Sequence, residues 1–128
     1  MLKETGVRRM EPAKTFRDVI AWQLAHKLVL EVYRYTTRFP REEMFSLTSQ
    51  FRRAAISVAA NIAEGFAKFS YRDKIRFFNI AEGSLEECRY YTLLSKDLGF
   101  GENMHLHELV EQTSKVLTAY CNSIRKRI

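Results

Sequence analysis

Glu64, Glu82, Glu86 and Glu87 are carboxylates in a chain whose periodicity is helical, and carboxylates converging inside a helical fold can share a proton or hold metal ions. A di-iron site in such a fold takes two Glu-x-x-His units and two further inward glutamates. Only Glu102 and His105 have that spacing, and they fall in the turn that opens the last predicted helix. His26, the one histidine within the first three predicted helices, reads as a helix-surface residue and not as a general base. Cys88 and Cys121 are isolated thiols without a CxxC or a zinc spacing, and they read as small buried hydrophobes. Glycine-rich phosphate loops, HExxH and nucleophile elbows are missing from the sequence. The expectation is therefore no catalytic residue, no metal, no cofactor and no enzymatic activity.

Basic residues offer more. Formal net charge is +6, which favours attraction to anions and says nothing of fold. Arg8 and Arg9 lie near the start, Arg52 and Arg53 are adjacent, and Lys68, Arg72 and Arg76 follow at helical spacing. Arg125, Lys126 and Arg127 end the sequence. Guanidinium groups on a rigid scaffold can position phosphates without reading bases, so these ten residues are candidate nucleic-acid contacts. Salt bridging and solubility are the competing uses of the same side chains.

The elements that must position them are helices. With 128 residues, 46% of them hydrophobic, one domain is expected, and two prolines with five glycines leave little material for turns. Alternating strand patterns are missing, as is any apolar run of the roughly 20 residues that span a bilayer; we expect a cytoplasmic protein without membrane contact. Residues 1–15 read as a flexible basic arm and 16–128 as a four-helix bundle with helices near 16–39, 46–68, 71–98 and 103–127.

In the first helix Ile20, Leu24, Leu28, Val32, Tyr35 and Phe39 form the inward face, while Gln23, Lys27, Glu31, Arg34 and Arg38 form the polar one. Pro40 closes that helix, and Ser46 or Thr48 caps the second. Ser70 with Asp73 reads as a capping box, Gly99 as a left-handed stop, and Asn103 as the cap of the fourth helix. Short connections favour an antiparallel up-down-up-down arrangement.

Helix two, around "AAISVAANIA", is apolar over most of its circumference, more than three neighbours can cover. A second copy of the chain is expected to supply the missing cover.

The pentapeptide NIAEG occurs twice, at 61–65 and 79–83, on either side of Ser70. Asn61 and Asn79 are equidistant from Ser70, and the same counting sets Glu64 against Arg76, Ser57 against Gly83, and Arg53 against Glu87. Those eight residues are expected to form a polar seam, with Ser57 approaching closely at Gly83 and a bulky neighbour admitted at Gly65.

Four blocks, "WQLAHKLVLEVY" at 22–33, "FPREE" at 39–43, "LTSQFRRAAISVAANIAEG" at 47–65 and "FFNIAEGSLEECRYY" at 77–91, carry a likeness over most of the chain. Together they resemble the four-helix-bundle family named for proteins encoded in intervening sequences of bacterial 23S ribosomal RNA genes. The resemblance implies an up-down bundle assembling as a ring, a homopentamer. It also implies kinship of fold with the accessory protein of diversity-generating retroelements, a basic barrel that binds nucleic acid and a reverse transcriptase. Family signature positions fall on Arg52, Arg53, Asn61, Glu64, Gly65, Gly83 and Ser84. Ala59 stands where the family often has proline, so helix two should run unkinked, and Glu82 stands where a basic residue is expected. The expected function is an oligomeric module binding RNA, DNA or a nucleic-acid enzyme, and its rival is a protein scaffold without a nucleic-acid role.

Overall fold

The computed structural model describes residues 12–128, and its first local device is a reciprocal cap between Thr15 and Asp18. Thr15 accepts the amide of Arg17 at 3.2 Å, and the carboxylate of Asp18 accepts the amides of Lys14 and Thr15 at 2.9 and 3.2 Å. Those two N–H groups hold the Asp18 carboxyl below its ordinary range, since they favour the charged form. A 3-10 turn, Phe16–Asp18, results, so Lys14 and Thr15, the last residues of the expected arm, are tied into structure, while its residues 1–11 lie outside the described residues. Val19 is extended, which delays the first helix to Ile20.

Four long helices follow, with no strand among the described residues: α1 (Ile20–Thr36), α2 (Ser49–Ala67), α3 (Tyr71–Asp97) and α4 (Met104–Arg125). The fold is all-α, as expected. A 3-10 turn, Arg41–Glu43, and a wide π turn, Met44–Thr48, lead into α2. Glu43 caps the π turn, accepting the amide of Leu47 and the hydroxyl of Ser46, and Thr48 stands at the N-cap position of α2 without a side-chain cap bond. Ser70 does accept the amide of Asp73, but the Asp73 carboxylate takes Arg76 at 3.1 Å, so only half of the expected box forms. Gly99 has φ +84°, as a left-handed stop requires, and Asn103 accepts the amide of Leu106 at 2.9 Å.

α2 packs on α1 and α3, and α4 packs on α1 and α3. Phe51, Phe78, Leu28, Ile62, Leu85, Leu106 and Leu117 are fully withdrawn from solvent, each burial worth about 1.5–3 kcal/mol. The inward face expected of the first helix is found at Leu28, Val32, Tyr35 and Phe39 and departs from expectation at two residues, Ile20 and Glu31. Ile20 is 50% exposed, while Ala21 and Ala25 face the core. Glu31, assigned to the outer stripe, is buried and held by Asn103 at 2.8 Å and by Arg34. The cap of α4 is thus itself held by α1, and the Tyr35 hydroxyl donates to the Gly101 carbonyl beside it.

The polar seam between α2 and α3 is shorter than the duplication suggested. Ser84, not Gly83, meets Ser57 at 2.7 Å, and Asn61 turns back to the Ser57 carbonyl and hydroxyl on its own helix. Glu64 pairs with Lys68 at 3.9 Å and Arg76 with Asp73, both within one helix and largely exposed. Arg53, Asn79 and Glu87 are exposed, and no ion pair joins Arg53 to Glu87 among the described residues. Charges one turn apart can pair without leaving water, whereas a cross-helix pair would have to be desolvated, and this favours the local partners.

The two glycines of the duplicated pentapeptide have opposite settings. A Cβ on Gly65 would lie 2.6 Å from the ring of Phe78 and 3.1 Å from the Cβ of Phe77, so the bulky neighbour expected there is present. A Cβ on Gly83 would meet nothing within 4 Å, and the expected close approach is not there. Because Ala81, Ser84 and Leu85 face inward, position 83 falls on the outer side of α3.

Gly65→Ala is therefore expected to destabilise the protein by about 1–2 kcal/mol net, because overpacking against buried Phe78 outweighs the helix-propensity gain. Gly83→Ala should instead stabilise it by up to about 1 kcal/mol. Thermal or urea unfolding of both variants checks the opposite signs. In a double-mutant cycle, Glu64→Arg with Arg76→Glu should show coupling within about 0.5 kcal/mol of zero.

Candidate nucleic-acid interface

Three residues, Lys68, Phe69 and Ser70, connect α2 to α3. Lys68 leaves the helix in extended geometry, so the last carbonyls of α2 need donors from elsewhere. Lys74 supplies one. Its ammonium donates to the Phe66 carbonyl at 2.6 Å, lies 3.5 Å from that of Gly65, and sits over the Phe66 ring. A cation there complements the negative end of the helix dipole, and partial burial lowers the ammonium pKa from its ordinary value.

Around this turn the cations rest on rings. The Phe77 ring carries Lys68 at 4.8 Å and Arg76 at 5.9 Å, and Arg72 is exposed one turn before Arg76. From the end of α4, Arg127 donates to the Tyr71 hydroxyl at 3.3 Å and lies over the same ring. Lys126 is exposed beside it, and Arg125 reaches Glu82 at 3.6 Å and Asn122 at 3.3 Å. Lys68 and Arg76 thus share the Phe77 ring, and the contact of Arg127 with Tyr71 brings the segment Arg125, Lys126 and Arg127 to the end of α3 that also bears Arg72, although that segment is distant from Arg72 in sequence.

The remaining candidates are not part of this grouping. Arg52 donates to the Thr36 hydroxyl at 2.8 Å and lies over Tyr33, a contact that fastens α2 to α1. Arg53 is exposed next to it, about four turns of helix from Lys68. Arg8 and Arg9 lie outside the described residues.

The carboxylates considered for chemistry are largely spent on cations. Glu82 holds Arg125, Glu86 holds Arg89 at 2.9 Å, and Glu102 holds Lys96 at 3.4 Å. His26 is exposed and stacks on Trp22 at 5.0 Å. Among the described residues no group of three or more His, Cys, Asp or Glu is placed to hold a metal ion, and no helix is long and apolar enough to cross a membrane. Cys88 and Cys121 are free and buried, and desolvation pushes both thiols up to about 12.

One feature went unread in the sequence. A groove of about 540 Å³ lies between α3 and α4, lined among others by Tyr90, Leu93, Met104 and His107. Arg89 spans its edge from Glu86 to Glu111. The available signal was the pair Tyr90 and Leu93, apolar side chains three residues apart and off the buried seam of α3.

An all-helical, four-helix protein whose cations and aromatic rings converge where α2, α3 and α4 end or begin is the class these features define. Residues 17–120 match the family of the 23S rRNA-intervening sequence protein, and the chain belongs to it. No curated protein matches the chain.

With thiol pKa values near 12, roughly one part in ten thousand of each cysteine is thiolate at pH 8. Ellman's reagent should label the native protein far more slowly than the urea-unfolded chain at that pH, since both thiols are buried as well as protonated.

Proposed function

We propose that this protein is a non-enzymatic, oligomeric four-helix bundle of the cytoplasm that binds RNA or DNA, or a nucleic-acid-processing partner, through its basic residues. The observation that carries the reading is the placement of Lys68, Arg72, Arg76, Lys126 and Arg127 about the start of α3 on a rigid helical scaffold. Several cations held on rings keep their charge while losing little freedom, a suitable arrangement for successive phosphates. We further propose an up-down-up-down course for the helices, supported by their short connections and the cyclic pattern of neighbours.

Assembly into a homo-oligomer, a pentamer as the family resemblance implies, is supported by the outer flank of α2, where Ile56 is 44% exposed beside exposed Ala60 and Ala67. Repetition of the basic region around such a ring would multiply weak phosphate contacts. The rival reading is a protein scaffold without a nucleic-acid role. It is favoured by Arg52 and Arg125, which are engaged with Thr36 and Glu82 and leave less charge for a ligand.

Titration with a structured RNA and a single-stranded DNA between about 50 and 200 mM salt decides between them. Affinity should fall steeply with salt, and Arg72→Gln with Arg76→Gln should weaken binding while Arg52→Gln mainly lowers stability. Binding that is absent at low salt favours the scaffold. Light scattering is expected to give a mass several times that of one chain; a monomer at micromolar concentration overturns the assembly.

A further inference from the structure

Phe69 is fully exposed in the turn between α2 and α3, with Lys68 before it and Arg72 one helical turn beyond. An apolar residue in this position, immediately before the cap of a helix, ordinarily folds onto the fourth residue of that helix as a staple. Here that fourth residue is Lys74, and its ammonium is committed to the carbonyls that end α2. The staple has no apolar partner, and the Phe69 ring projects into water.

Phe45 is also almost wholly exposed, but Glu42 and Glu43 precede it and would repel a phosphate chain. Phe69 instead follows Lys68 and precedes Arg72 in the chain, and other rings at this end of α2 and α3 already have charged groups on them: Phe77 carries Lys68 and Arg76, Phe66 carries Lys74, and Tyr71 carries Arg127. Phe69 thus offers an exposed aromatic face in the turn that joins these two helices.

We infer that Phe69 is a stacking platform for an unpaired base, and that the ligand of the basic region is a single-stranded polynucleotide whose phosphates run along Lys68, Arg72 and Arg76. The inference rests on the nucleic-acid reading above and narrows it. A duplex keeps its bases stacked on one another and offers such a ring no face, whereas a single strand exposes them. Stacking tolerates any base, and charge alone holds the backbone, so little sequence preference is expected.

The test uses the full-length protein and fluorescently labelled 12-nucleotide oligothymidylate, oligouridylate and a duplex of equal length, read by anisotropy at several salt concentrations. Single strands, deoxyribose or ribose, should bind more tightly than the duplex. Phe69→Ala should weaken single-strand binding about ten-fold or more with an unchanged salt slope and thermal midpoint. Arg72→Gln should reduce that slope by about 0.7. Phe69→Trp should preserve affinity, and its emission should be quenched by the oligonucleotide against the background of Trp22. Wild-type binding that Phe69→Ala leaves intact, equal affinity for the duplex, or equal competition by polyglutamate overturns the stacking role and spares the broader reading. Failure of the wild type to bind any polynucleotide at low salt overturns both.

Discussion

The missing side chain at Gly65 sets how closely α2 and α3 approach. Phe78 fills the space a Cβ would take, and with it the first turns of α3 settle against the last turns of α2. At that separation Lys74 reaches back to the carbonyls that end α2, as it does at Phe66. The connection between the helices is short because both ends are satisfied locally, by Lys74 on one side and by Ser70 on the other. The setting of Lys68, Phe77, Arg76 and Tyr71 around that connection follows from the same approach.

The cations sort by what already holds them. Arg52 is fastened to Thr36 and Tyr33, and Lys74 to carbonyls, so both serve the scaffold. Arg76 and Lys68 have exposed carboxylates one turn away, pairs worth little in water and easily exchanged for a phosphate. Arg72 and Lys126 are exposed at the ends of their helices. Charge counted from the sequence does not separate these groups, because the distinction is whether a guanidinium or ammonium has been desolvated on the way to its partner.

Much of the fold was legible. Asn103 and Gly99 mark helix ends through chemistry that acts within four residues, and Gly65 within a helical pattern announced a close approach. The start of α1 was harder to read, because Ala21 and Ala25 are buried while contributing little to any apolar pattern, and Ile20 is left outside. Glu31 reads as surface by type and is buried by virtue of Asn103, a partner 72 positions away. The duplicated pentapeptide suggested equivalence, but the helical phase put Gly65 inside and Gly83 outside. The candidate interface was legible as residue types and not as a grouping, since Tyr71 and Arg127 meet across 56 positions.

The bond between Glu31 and Asn103 also bears on the order in which the chain closes. α2 and α3 meet through a connection of three residues, and bringing them together costs little configurational entropy. The first turn of α4, by contrast, is steadied by a carboxylate from far upstream, and closing that much longer loop costs more configurational entropy. On entropic grounds the turn bearing Phe69 belongs to the earliest part of the molecule to consolidate, and the entrance to α4 to the latest.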